Sequence, residues 1–403
     1  MTAINASPDE LYLAAAAADR LPYTGRQILT FAPDAQPGDV TAALRSLGPM
    51  AAASDFDNAA PKIESLEGAA TLFFDHLGMA VLSPAAQLPV GVASVDGLVE
   101  SVESISGIEN ETFLFVADAI DDARTAAAEA EDVVTWGLAA TRVPLSHLSG
   151  HGIKIAILDT GLDLNHPDFA GRSITSETFV PGQPVQDLHG HGTHCTGTAC
   201  GPLAPAGVPR YGVAHGASIF AGKVLSNSGI AVGGSVLAGI NWAIAQRCDV
   251  ISMSLAAPGN LNPTYEQAAQ RALAAGCLVV AAAGNESVRP NRIAPTDVPA
   301  NSPDMVSVAA LDRRLAVAYF SNGGKIEIAG PGVDVFSALP RPRLHGMLSG
   351  TSQATPHVAG IAALLAESNP GLRGPALRTA LLNRILRLPL PPSDIGFGLV
   401  QAP

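Results

Sequence analysis

Three polar residues sit where an apolar core would not choose them. Asp159 closes the run Ile155-Ala-Ile-Leu158 and is followed by Thr160-Gly161. His191 lies in His189-Gly-His-Gly-Thr-His194, whose glycines permit a tight entry into the apolar helical stretch Cys195 to Cys200. Ser352 lies in Gly350-Thr-Ser-Gln-Ala-Thr-Pro-His357. A serine hydroxyl is a poor nucleophile until a histidine takes its proton, and the imidazolium so formed needs a fixed carboxylate. Together the three residue types are what acyl transfer requires. Singly, each has a plainer reading, the Asp as a strand-end cap and the Ser as a helix N-cap. His194 could be imagined as a metal partner of His191, but the zinc-hydrolase motif needs two His four apart with a Glu between them. None is present, so metal catalysis is not expected and His194 is read as structural.

Those three points must be brought together by the elements that carry them. After Gly150 the chain alternates helical segments with short, almost continuous apolar runs: Ile153 to Leu158, Ser218 to Val224, Val250 to Leu255, Leu278 to Ala283 and Met305 to Ala310. This alternation predicts an α/β fold with a doubly wound, mostly parallel sheet, in which sites gather at the carboxyl ends of strands. The front of the chain differs. Residues 1 to 25 read as an Ala-rich helix and a tail. Residues 26 to 119 read as a small ferredoxin-like α+β domain, with strands Gln27 to Phe31, Met79 to Leu82 and Thr112 to Ala117 and helices Asp39 to Leu47 and Val95 to Ile105. Residues 120 to 135 form an acidic, alanine-rich connector, and 136 to 403 the larger domain.

A length of 403 residues, with 47% hydrophobic and 15% charged, describes a globular chain of two domains rather than a fibrous or disordered one. Residues 1 to 135 carry 21 Asp and Glu against 5 Lys and Arg, whereas 136 to 403 carry 15 against 18. An acidic front argues against nucleic acid as its partner and suggests that the two parts are electrostatically matched. The longest uncharged run, Val224 to Gln246, includes Asn227, Asn241 and four glycines, so no membrane span is expected. Four cysteines without a C-x-x-C pair make neither a disulfide scaffold nor a zinc ribbon; a bridge between Cys248 and Cys277 stays open, with free buried thiols favoured. No Lys or Arg precedes Arg20, and Asp9 and Glu10 come early, so no standard secretory signal is expected. The expectation is a monomer, cytoplasmic or exported by another route.

The motifs resemble those of the subtilisin-like (subtilase) serine protease family. Ala-Ile-Leu-Asp159-Thr-Gly, His191-Gly-Thr-His194 and Gly-Thr-Ser352-Gln-Ala-Thr-Pro-His carry the likeness, in the order Asp, His, Ser. A fourth block, Ala281-Ala-Ala-Gly284-Asn285-Glu286, matches the family's oxyanion segment, and the likeness covers about Trp136 to Ala402. It implies a serine endopeptidase acting on polypeptides, with no cofactor required for the chemistry. Ser352 would attack the carbonyl, His191 would act as base and then acid, and Asp159 would orient the imidazole. Asn285 would bind the oxyanion with the backbone N–H of Ser352, a contribution worth about 10²- to 10³-fold in a subtilisin. Gln353 replaces the family's usual Met and removes no catalytic group. Asp168 corresponds to a family calcium ligand, but Gly201 to Pro209 lacks the oxygen donors that usually complete that site; calcium takes about six to eight. In some members a thiol at the place of Cys195 lies under the histidine. A catalytically dead relative used for peptide binding would need a lost triad member, and none is lost.

By the same resemblance the front domain is propeptide-like, an intramolecular inhibitor of a self-processing zymogen. The pocket for the side chain before the cleaved bond would have walls from Ser254-Leu255-Ala256-Ala257 and from Ala281 to Gly284. Its floor would lie at Asp297, where the family often has glycine. A carboxylate in a narrow pocket calls for a cationic partner, so Arg or Lys is expected at the cleaved position. Arg124 lies seven residues past Ala117 and is the one Lys or Arg between Lys62 and Arg142, which makes Arg124-Thr125 the expected maturation bond.

Overall fold

The computed structural model describes residues 5–61, 68–84, 86, 96–117 and 133–403. Its contacts divide the chain into two compact units, one of Met1–Leu114, Thr178–Pro184 and Val224–Gln246, the other of Phe115–Glu177, Val185–Lys223 and Arg247–Pro403. The division therefore does not follow the chain at residue 135, because two later segments pack into the first unit.

In the first unit, helix α1 (Pro8–Ala17) starts at a capping box in which Ser7 and Glu10 satisfy each other's backbone N–H. Strands β1 (Tyr23–Phe31), β2 (Met50–Ala52), β3 (Thr71–Phe74), β4 (Met79–Leu82) and β5 (Ile105–Val116) follow, with α2 (Pro37–Ser46) and α3 (Asp96–Ser101) between them. The sheet order is β5-β1-β4-β3-β2. β1 is antiparallel to β4 and β5, and β3 to β4. Leu29, Phe31, Leu44, Leu47, Leu82, Leu98 and Ile105 form its core.

Two expectations change here. The helix expected from Val95 to Ile105 ends at Ser101, and the last strand begins at Ile105 rather than Thr112. Polar residues hid the front half of β5. Glu111 is fully buried, but it accepts hydrogen bonds from Arg26 Nε (2.6 Å) and Nη2 (2.8 Å), from Thr24 Oγ1 (2.6 Å) and from Gly234 N (2.7 Å). The last donor is an amide in the first turn of helix Gly233–Ala245, without a partner inside the helix, where a carboxylate is favoured.

The second unit holds a sheet of nine described strands. Across it they run Ile385–Leu386, Leu399–Val400, Ile328–Pro331, Val306–Leu311, Leu278–Ala282, Val250–Met253, Lys154–Asp159, Ser218–Lys223 and Ile174–Thr178. The pairings among Ser218–Lys223, Lys154–Asp159, Val250–Met253, Leu278–Ala282, Val306–Leu311 and Ile328–Pro331 are parallel; Ile385–Leu386 is antiparallel to its neighbour. Helix Thr351–Ser368 is buried over nearly its whole length, and its Val358, Ile361 and Leu364 join Cys195, Ala199, Ile155 and Val308 in one core. Lys154–Asp159 lies where the strand order turns from one side to the other, so its carboxyl end is the place such a sheet offers for a site. Among the described residues no helix is long and apolar enough to cross a membrane.

Replacing Glu111 by Ala leaves the Arg26 guanidinium buried without its carboxylate. The expected cost is about 3–5 kcal/mol, read as a lower urea midpoint in a chain that also carries Ser352→Ala to silence proteolysis.

Candidate active site

Asp159 is the last residue of its strand, and the backbone N–H of Thr160 donates to its Oδ1 (2.7 Å). The same oxygen lies 2.7 Å from His191 Nδ1, with both side chains at most 1% exposed. His191 opens helix His191–Cys200 behind Gly190, whose φ is 106°. The next residue has to be glycine, because a Cβ on Gly192 would meet Gly161 O at 2.3 Å. Asp187 organises this entry. Its carboxylate accepts from Thr160 Oγ1 (2.9 Å), His189 N (3.0 Å), Gly190 N (2.8 Å), Thr193 N (2.9 Å) and Thr193 Oγ1 (2.7 Å).

Ser352 is buried in the first turn of helix Thr351–Ser368. Cys195 ties it to His191: the thiol is 3.7 Å from His191 Nε2 and 3.5 Å from Ser352 O. Burial pushes the Cys195 thiol up to about 11, so it stays protonated and acts as a small apolar contact. His194 Nε2 donates to Val335 O (3.0 Å), a structural use of the ring. The other cysteines, Cys200, Cys248 and Cys277, are free and buried.

The carbonyl oxygen of Ala117 sits at the centre of this group. It accepts a hydrogen bond from Ser352 Oγ and another from Asn285 Nδ2 (2.5 Å). Asn285 is oriented by its other end, where Thr351 N (2.9 Å) and Thr351 Oγ1 (3.0 Å) donate to Oδ1. The chain leading to Ala117 lies as an added strand: Val116 pairs with Leu255 and Phe115 with Ala256, antiparallel, and Ala117 N donates to Ser254 O (3.2 Å). Ala117 packs with Ala256 and Ala282. A Cβ on Gly350 would come within 2.9 Å of Ala117 O, so glycine there admits the incoming chain.

Gly284, at φ 104°, backs onto Asp297; a Cβ at Gly284 would meet Asp297 Oδ2 at 2.2 Å. Asp297 is buried, and desolvation followed by the neighbouring Glu286 carboxylate pushes its carboxyl up to about 9. Burial and the neighbouring charge thus disfavour the anion at the place where the sequence suggested a carboxylate for a cationic side chain. Arg124 and Thr125 lie outside the described residues.

Asp168, expected as a possible calcium ligand, lies beside His166 and His345. Its Oδ2 accepts from Tyr211 Oη (2.5 Å) and His345 Nε2 (2.8 Å), and the nearby donors are the imidazoles of His166 and His345 rather than oxygens. Burial alone would raise the Asp168 carboxyl; the hydrogen bonds from His345 and Tyr211 outweigh it and hold it below the usual carboxylate range.

Sequence reasoning brought together Asp159, His191, Ser352, Asn285, Ser254, Leu255, Ala256 and Gly284. It missed Ala117, which carries no reactive group, and Asp187, whose signal was an acid four residues ahead of a helix start.

The model of the subtilase family matches residues 150–398. Subtilisin Savinase of Lederbergia lenta is 39% identical over 274 residues, covering 67% of this chain and 97% of that protein. M-protease of Shouchella clausii is 40% identical over 274 residues, covering 67% and 69%. Subtilisin E of Bacillus subtilis is 37% identical over 243 residues, covering 59% and 62%. A protein of this fold and these motifs is a serine endopeptidase. The chain belongs to the subtilase family.

Two outcomes follow from the contacts. Asn285→Ala is expected to lower kcat by about 10²- to 10³-fold with little change in KM, in steady-state hydrolysis of a peptide anilide. His345→Phe is expected to cost roughly 2 kcal/mol at pH 7, seen as a fall of several degrees in Tm that millimolar calcium does not restore. Because the Asp168 carboxyl is held low, its contribution is present above the unfolded carboxylate range and is lost as pH falls through the folded value, so the gap between variant and wild type closes in acid.

Proposed function

We propose that Asp159, His191, Ser352 and Asn285 cleave a peptide bond by acyl transfer, and that the chain's own residue Ala117 shows how a substrate lies. One observation carries this reading: a single carbonyl oxygen receives both Ser352 Oγ and Asn285 Nδ2 while its strand pairs with Leu255–Ala256. In the reaction Ser352 Oγ attacks the carbonyl carbon and His191 takes the hydroxyl proton. Asp159 Oδ1 holds the Nδ1 side of the imidazolium, and Asn285 Nδ2 stabilises the oxyanion with the Ser352 N–H. The imidazolium then gives its proton to the departing amine, and water releases the acyl group by the same steps in reverse.

The N-terminal unit reads as a propeptide of a self-processing zymogen. The order β1, α2, β3, β4, α3, β5 with sheet order β5-β1-β4-β3 supports the ferredoxin-like description. The maturation bond is Ala117-Asp118 rather than Arg124-Thr125, since the carbonyl beside Ser352 is that of Ala117. Cleavage there leaves 118 to 403 with 21 Asp and Glu against 19 Lys and Arg, close to neutral. The side chain at the cleaved position is small and uncharged rather than basic. Ala117 rests on Ala256 and Ala282, and Asp297 keeps its proton at neutral pH, so an arginine would bring an uncompensated charge into the pocket.

Purified wild type should begin Asp-Ala-Ile-Asp-Asp, and Ser352→Ala should remain folded at full length. A wild-type start at Thr125, or processing of pure Ser352→Ala, would overturn this assignment. At pH 7.5 a peptide with Ala at the cleaved position should exceed its Arg counterpart in kcat/KM by about tenfold or more; equal turnover would reject the small uncharged pocket.

A further inference from the structure

Apart from the catalytic group, three ligand-type side chains converge where the turn after Asp159 meets the strand that leads to Ser352. His166 and Asp168 flank Pro167 at the short helical turn Pro167–Phe169, and His345 opens strand His345–Leu348. One ligand atom from each of the three lies within 4.8 Å of the other two. Metal bonds of about 2.0–2.2 Å to nitrogen and oxygen put neighbouring ligand atoms roughly 3 Å apart, and His345 Nε2 is already 2.8 Å from Asp168 Oδ2. Two imidazoles and a carboxylate suit zinc, nickel or cobalt, whereas calcium takes oxygens. The other grouping of this kind among the described residues, Asp159, His191 and Cys195, belongs to the catalytic group.

Surrounding contacts fix the three side chains. His166 Nε2 donates to Leu344 O (2.8 Å), which leaves Nδ1 as the lone-pair nitrogen, 3.1 Å from the backbone N of Asp168. A ring whose second nitrogen gives its proton to a carbonyl has the usual orientation of a metal-binding histidine. That carbonyl belongs to the residue before His345, so one bond ties the two imidazoles together, and their rings lie 5.5 Å apart at 83°. His345 also stacks on Phe336, at 5.5 Å and 19°. Tyr211 Oη donates to Asp168 Oδ2 (2.5 Å), so the phenol orients the carboxylate. His166 is buried, but the side chains of Asp168 and His345 are 8% and 13% exposed, which leaves an approach for an ion.

We propose that His166 Nδ1, the Asp168 carboxylate and His345 Nε2 bind one divalent transition-metal ion of the zinc type, at a site distinct from the catalytic residues. The ion replaces the proton that His345 Nε2 gives to Asp168, and that proton leaves to solvent. Tyr211 keeps its hold on the carboxylate. Bound there, the ion staples the turn that follows Asp159 to the strand that precedes Ser352. Its effect is therefore on stability and not on the acyl-transfer steps.

The test uses the full-length chain with Ser352→Ala, stripped with a chelator and titrated with zinc chloride in a calorimeter. One zinc per chain is expected, with micromolar or tighter affinity. At about a hundredfold excess over Kd the Tm should rise by several degrees, and calcium chloride should give no such rise. Zinc X-ray absorption of the same sample should show two imidazoles and an oxygen neighbour with no sulfur. His345→Gln keeps an N–H for Asp168 but offers no imidazole, and Asp168→Asn removes the carboxylate; each should weaken zinc binding by about tenfold to a hundredfold or more. The absorption spectrum needs neither substitution, so the test stands where a variant fails to fold. No saturable zinc uptake, a sulfur neighbour, or an affinity unchanged by both substitutions would overturn the proposal.

Discussion

In the second unit one peptide carbonyl, that of Ala117, is held between two donors that come from different elements. Ser352 arrives at the start of a helix, Asn285 just beyond the strand Leu278–Ala282. An amide side chain can point either end at a carbonyl, and only its NH₂ end can donate. Thr351 settles the choice by giving Asn285 Oδ1 two donors, one from the backbone and one from the hydroxyl. The residue that fixes Asn285 is thus the chain neighbour of Ser352, and the two cannot drift apart without breaking those bonds. A parallel sheet is suited to this because its strand ends and helix starts converge on one edge.

Ser254 extends the same constraint to the incoming chain. Its hydroxyl donates to Ser352 O (2.8 Å), while its carbonyl accepts from Ala117 N. One residue therefore registers the added strand against the backbone of the nucleophile. Main-chain bonds of this kind contribute about 0.5–1.5 kcal/mol each and are indifferent to sequence. The Ala117 side chain itself packs against Ala256 and Ala282.

The reactive residues were legible because chemistry demands particular side chains at strand ends and helix starts. The strands of the large sheet were legible because burial on both faces leaves unbroken apolar runs; Lys154–Asp159 and Val306–Leu311 fall within one residue of expectation. What escaped was set by partners distant in sequence. Gly107 to Glu111 did not read as strand because Arg26, 85 residues before Glu111, is what makes that acid buriable. Ala117 has no chemical signature at all, and its role is visible only from the donors around its carbonyl.

The buried acids show why residue type alone could not settle function. Their donors differ. Glu111 has an arginine, a hydroxyl and a helix amide; Asp187 has three amides and two hydroxyls; Asp168 has a phenol and an imidazole. Such sets hold a carboxylate rigidly. Asp159 has two donors on one oxygen, and its Oδ2 is buried without a partner among the described residues. An incompletely satisfied carboxylate gains most when positive charge appears on the imidazole beside it, which is when the reaction needs it. Asp297 has a buried oxygen with no donor, and burial together with the Glu286 charge pushes its carboxyl up, in a place where sequence suggested an anion. The number and direction of donors, not the residue type, set how firmly each acid is held and how far its charge is satisfied.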